Sequence, residues 1–166
     1  KPSSAASDVY KRQLEDKVAA DPDYAVTADD IAAFEAEHGT IEPGSFVAFS
    51  SGWSTRWEDP DAFVNLDEDG VQHTPGWSLE ALHVLIDDRR VAAIGHETLD
   101  TDPGVAVAES GFLYGELYVL EQDIYQIEVL NNLAQVPATG AVIVVGPANI
   151  KGAPSITSRV YALFQE

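Results

Sequence analysis

Four histidines, His38, His73, His83 and His96, are the imidazoles this chain offers to proton transfer or to a metal. They show no ligand-like spacing, and no H-E-x-x-H occurs. His38 is expected at an exposed helix end, and His83 in mid-helix as a structural residue. His96 follows a strand, where it is also read as structural. Carboxylates are abundant, with 28 Asp and Glu. Asp59-Pro60-Asp61 and Asp67-Glu68-Asp69-Gly70 crowd several together. The second lacks the alternating ligands and distal Glu of a calcium loop, so solvated acidic turns are expected. There is no cysteine, which removes thiolate nucleophiles, disulfides and Cys-based zinc sites. A nucleophile elbow, a P-loop and a dinucleotide fingerprint are also absent.

The elements that must position these groups are punctuated regularly. Thr27 begins a helix, with Asp30 three residues on as an acidic capping box, Ile31 and Phe34 on one face and Gly39 at the end. Pro43-Gly44 turns into an apolar strand over 45–49. Residues 51–77 read as loop and hold all three tryptophans. Ser78 caps a second helix with Leu79, Leu82 and Ile86 inward, closed by Arg89 and Arg90, which suit the C-terminal dipole. Further strands are expected over 91–95, 124–130, 141–146 and 160–164, with a looser segment over 100–123. Helices and strands mix without strict βαβ alternation, which gives an α/β class with a mixed β-sheet and flanking helices.

Composition bounds the partners. A chain of 166 residues with 45% hydrophobic residues is one domain with one sizeable core. The net charge of −19 repels a polyanion and an anionic lipid surface, so neither nucleic acid nor membrane is an expected partner. No apolar run approaches a membrane span. The acids are spread over the whole length, as on a solvated surface that tolerates salt, and the protein is read as cytoplasmic in a halophile. Residues 1–13 stand apart, with three of the nine basic residues. Asp8 to Gln13 resembles a translated sequencing adapter of the kind found at the edges of metagenomic reading frames. Residues 1–13 are therefore expected to be a non-native or disordered leader, with one domain over 14–166.

Several segments, in order, resemble the cyclase family of metal-dependent hydrolases, which includes kynurenine formamidases and isatin hydrolases. They are Asp23 to Thr27, His38-Gly39, Pro43-Gly44, and Ser51-Gly52-Trp53 with Arg56-Trp57. His73-Thr74-Pro75-Gly76 and Ser78-Leu79-Glu80-Ala81 follow, then GHETLDTDPG over 95–104, IYQIEVLNNLAQVP over 124–137, and Arg159-Val160-Tyr161-Ala162. The resemblance implies a swivelling β/β/α architecture, here partial. The family's H-x-G-T-H-x-D-x-P metal motif does not occur, so the chain is expected to be a truncated member that lacks the metal-binding N-terminal half.

The resemblance also implies roles. A divalent metal, Zn or Mn, serves the family, and this chain is expected to hold it weakly or not at all. Glu128 matches a family metal ligand. Glu116, twelve residues earlier, stands where the family has a ligating histidine. His73 matches a family histidine in the substrate pocket, with Trp53 and Trp77 as aromatic walls. The aspartate of the family's D-T pair is Glu97 here. Two readings follow: a hydrolase of amides or lactones acting on a small amide substrate, or a folded, non-catalytic fragment without a metal site. Either leaves apolar sheet surface around 141–145 and 124–130 for a second copy, and a homodimer is the default.

Overall fold

The computed structural model describes residues 14–153 and 155–165; the expected leader, residues 1–13, lies outside the described residues. A first helix, α1, spans 14–20 and buries Leu14 and Val18. The following elements are β1 (Ala25–Val26), α2 (Ala28–His38), β2 (Phe46–Phe49), α3 (Pro60–Val64), β3 (Gly76–Trp77) and α4 (Leu79–His83). After them come β4 (Ala93–His96), α5 (Gly104–Ser110), α6 (Tyr114–Glu121), β5 (Tyr125–Ile127), β6 (Val142–Pro147) and β7 (Ser158–Leu163). The α/β class holds, with the strands divided among three sheets.

The central sheet has the order β2-β4-β5, all parallel. Parallel strands run their carboxyl ends to one edge, where open α/β sheets bind ligands. β4, in the middle, is buried throughout, and Ile94 and Ala93 are fully enclosed. β1 pairs with β3 in a parallel two-stranded sheet.

α2 starts as its sequence dictates. The Thr27 side chain accepts from Asp30 N–H and the Asp30 carboxylate accepts from Thr27 N–H, so the capping box closes. Asp30 is buried, and Lys17, Tyr24 and Thr27 all donate to it. α2 ends at Gly39, with φ +88°. His38, expected exposed, is turned inward: its side chain is 1% exposed and its ring lies 4.7 Å from that of Phe34.

Ser78 caps α4 as expected, through Ala81 N–H. Leu82 and Ile86 are buried, but Leu79, expected inward, is 43% exposed. It is the first helical residue, before the turn that meets the core. The helix continues as a π-turn over Val84–Asp88. Arg89 then reaches Glu35 on α2 with two hydrogen bonds of 2.5 and 2.8 Å, tying the two helices together.

The segment 100–123, expected to be loose, forms α5 and α6. The strand expected over 124–130 stops at Ile127, because Val129 takes a left-handed φ of +54°. The ribbon β6-β7 is antiparallel, with Val142 opposite Leu163 and Val144 opposite Tyr161. All four of these side chains are among the exposed large hydrophobics.

Candidate functional site

The carboxyl ends of the three parallel strands and the loop after β4 bring together several of the interior's polar groups. Ser50 and Ser51 follow β2, Glu97 and Thr98 follow β4, and Glu128 follows β5. Ser50, Ser51, Glu97, Thr98, Thr101 and Asp102 are all buried.

Glu97 organises one side. Its carboxylate accepts from Ser51 N–H at 2.9 Å, Ser51 Oγ at 3.0 Å, Trp53 N–H at 3.0 Å and Ser54 Oγ at 2.8 Å. Four donors satisfy a buried carboxylate and hold the 51–54 turn against the end of β4. Trp53, in that turn, is 1% exposed, and its indole N–H donates to Phe63 O at 2.9 Å.

The 97–104 segment is fixed by backbone contacts to the stretch around β3. Trp77 N–H donates to Thr101 O at 2.8 Å and Gly104 N–H to Thr74 O at 3.0 Å. The approach is so close that a Cβ at Gly76 would stand 2.5 Å from Thr101 O and from Pro103 N. This docking aims Asp102 at α6, where it accepts from Gly115 N–H at 2.7 Å and Glu116 N–H at 2.9 Å. Asp102 therefore caps α6 from thirteen residues away. The cap sets Glu116 on the first turn of α6, beside the acids of the loop.

The result is a set of mutually repelling carboxylates. Burial and the neighbouring charge of Asp102 raise the carboxyl of Asp100. Burial, Asp100 and Asp102 raise Glu116. Glu128 is raised to about 6 by burial first and then by Glu116 and Asp100. Its residue surface is exposed, yet enough protein crowds the carboxylate to penalise its charge. A carboxylate poised near neutral pH can take and return a proton. The structure thus brings Glu116 and Glu128 into one electrostatic cluster. Asp100 and Asp102 were missed because nothing local in the sequence shows that loop docking against α6.

His73 is held between two aspartates, with Nδ1 2.7 Å from Asp23 and Nε2 3.3 Å from Asp67. Hydrogen bonds to Asp23 and Asp67 raise its pKa. Trp77 is 3% exposed and packs edge-on against Phe49 at 5.7 Å. His83 lies on the surface against Asp87, with Nδ1 at 2.7 Å. His96 is fully buried with neither ring nitrogen hydrogen-bonded, and burial lowers its pKa to about 4.

The resemblance implies a divalent ion. Among the described residues, no three His, Asp or Glu side chains are arranged to hold one. The donors among the described residues do not by themselves complete a metal site.

Comparison with known proteins gives a consistent answer. The family model described as "Putative cyclase" matches residues 5–103. The chain is 34% identical over 145 residues to isatin hydrolase of Roseibium aggregatum, covering 87% of this chain and 54% of that protein. Isatin hydrolase A of Ralstonia solanacearum superposes with a TM-score of 0.85 at 37% identity, over 91% of this chain and 57% of that one. An isatin hydrolase bound to the product analogue thioisatinate superposes with a TM-score of 0.83 at 34% identity, over 92% of this chain and 57% of that one. The chain thus spans about half the length of the relatives it matches. A family match over more than half of the sequence, joined to the same fold in solved relatives, places the chain in the cyclase family.

Proposed function

We propose that the protein is a hydrolase that opens an amide or lactone bond in a small substrate, with Glu128 as its proton-transfer group. The observation that carries this is the placement of Glu128. It stands at the carboxyl end of a parallel strand, with Glu116 and Asp100 raising its proton affinity toward neutrality. The names of the relatives support an amide substrate class, since isatin carries a cyclic amide. Glu128 as carboxylate takes a proton from attacking water and returns it to the leaving nitrogen or oxygen. After burial, the neighbouring charge of Glu116 raises the proton affinity of Glu128, because a nearby like charge disfavours the ionised form.

The test is ring opening of isatin by the full chain, followed by absorbance, with and without added Mn2+. Turnover above the buffer rate that is lost in Glu128→Gln supports the reading. A buffer rate in every arm supports instead a folded, non-catalytic scaffold. That second reading is favoured by the lack of a three-ligand metal group among the described residues.

Self-association belongs to the same proposal. Val142, Val144, Tyr161 and Leu163 form one apolar face of the ribbon and are 61%, 44%, 58% and 58% exposed. A groove of about 840 Å3, lined by Phe46, Ala48, Tyr125 and the 136–143 stretch, lies alongside. A second copy, packed by two-fold symmetry, is the proposed cover.

A further inference from the structure

His73 stands between two carboxylates that come from separate segments. Nδ1 lies 2.7 Å from Asp23 Oδ2, and Nε2 lies 3.3 Å from Asp67 Oδ2. Asp23 belongs to the turn before β1, and Asp67 to an acidic hairpin over 66–72 that is joined at Leu66 and Gln72. An ionised carboxylate only accepts hydrogen bonds, so each ring nitrogen that faces one must donate. Neutral imidazole carries one N–H and imidazolium carries two. We propose that His73 is a pH-operated clasp: as a cation it pins the acidic hairpin to the turn before β1, and as a neutral ring it lets the hairpin go.

The geometry decides which contact survives deprotonation. Asp23 is the nearer partner, and its Oδ1 is buried without a hydrogen bond, so its charge leans on the imidazole. The remaining proton therefore stays on Nδ1. Nε2 then presents a lone pair to the Asp67 carboxylate, two acceptors with no proton between them. Asp67 is already satisfied from within the hairpin, where it accepts from Asp69 N–H at 2.9 Å and Val71 N–H at 2.8 Å. The Val71 N–H, and after it His73, hold the Asp67 carboxyl below its ordinary value, so it is ionised wherever the ring titrates.

The base of the hairpin stays fixed while its outer part is free. His73 N–H donates to Asn65 O at 3.0 Å, and Asn65 Nδ2 donates to His73 O at 2.6 Å. Gln72 O packs so close to Gly104 that a Cβ there would stand 2.2 Å from it. Residues 66–70 are exposed by contrast, with Gly70 at a φ of +80° in the tip. The imidazole is thus the tie between this tip and residues 21–24. Among the described residues, the charged groups that bear on the ring are Asp23 and Asp67, and hydrogen bonds to them, Asp23 first, raise its pKa. The clasp is therefore fully closed below the ordinary imidazole range and opens as the pH rises through the raised value of the folded chain.

The chain has no cysteine, so a nitroxide on Glu68→Cys labels the hairpin alone. In the full chain, paramagnetic broadening of the Ala25 and Val26 methyl signals reports how near the hairpin lies to β1. The His73 ring is titrated on the same sample by 15N NMR, from about pH 5.5 to 9, the span around an imidazole's titration. Both ring nitrogens should carry protons at the acid end, and the ring should titrate above the ordinary 6.5. The broadening should be lost along the same curve. His73→Gln, which has no titrating proton, should give a broadening that does not change with pH. Asp23→Asn keeps the ring but removes one charge, and should move the ring titration and the loss of broadening together to lower pH. A ring that titrates at or below 6.5 overturns the proposal, as does a titration that leaves the broadening unchanged. So does a loss of broadening that persists in His73→Gln, or that stays at the same pH in Asp23→Asn.

Discussion

His96 packs at the end of the central strand with both ring nitrogens unpartnered, next to the residue that holds the 51–54 turn. Its pKa in the folded chain is about 4, against 6.5 in the unfolded one. Between these values the unfolded chain binds a proton that the folded chain refuses. Stability contributed by neutral His96 is therefore complete above pH 6.5 and lost as the pH falls toward 4, on the order of 3 kcal/mol in all. His96→Leu should flatten that acid limb in urea melts while leaving stability at pH 7 equal or higher, since two unsatisfied nitrogens disappear. Parallel curves for the two proteins would contradict the assignment. Glu128 has the opposite sign. Its raised pKa means that the folded state holds a proton longer, so its contribution is lost as the pH rises through about 6. Glu116→Gln removes the larger of the two neighbouring charges, and the Glu128 carboxyl should then titrate lower in 13C NMR. An unmoved titration would mean that burial alone sets it.

Among the elements, α6 depends on a cap that no local pattern reveals. Its own N-cap position, Leu113, has no side chain able to cap, and Asp102 supplies the acceptors from the preceding loop. Asp102→Ala should cost about 1–2 kcal/mol in chemical denaturation, toward the upper end of a cap's worth because the carboxylate is buried. Asp102→Asn, which keeps one acceptor, should lose less. A loss below about 0.5 kcal/mol for the alanine variant would show that the helix does not need the cap. The same contrast explains what the sequence could tell. α2 was legible because Thr27 and Asp30 cap it within four residues, and α4 because Ser78 does likewise. α5 and α6 were not, since their placement comes from the close approach of Gly76 and Gly104 to backbone distant in sequence. Glu116 and Glu128 were reached through family resemblance. Asp100 and Asp102 required the docked loops. The two aspartates that hold His73, Asp23 and Asp67, are brought to it only by the folded loops.

For the molecule as a whole, a charge of −19 and an apolar ribbon face make separate demands on the solvent. No helix among the described residues is long and apolar enough to cross a membrane. Self-repulsion spread over the surface is screened within roughly 3 Å at molar salt, so the melting temperature should climb from low to molar KCl. A flat response would remove the salt-adapted reading. Sedimentation in molar KCl should show a dimer, and Val144→Lys on the exposed ribbon face should shift it toward monomer. A wild-type monomer of 17.9 kDa under those conditions would mean that the ribbon and groove need no second copy.

The pH profile of isatin opening by the full chain tests most directly whether the carboxylates at the ends of the parallel strands carry out hydrolysis. With Glu128 as base, kcat/KM should rise through an inflection near 6 and level off above it. Glu116→Gln should move that inflection to lower pH, and Glu128→Gln should abolish the pH-dependent rate. A profile without an inflection in this range, or one that Glu116→Gln leaves in place, would contradict the account.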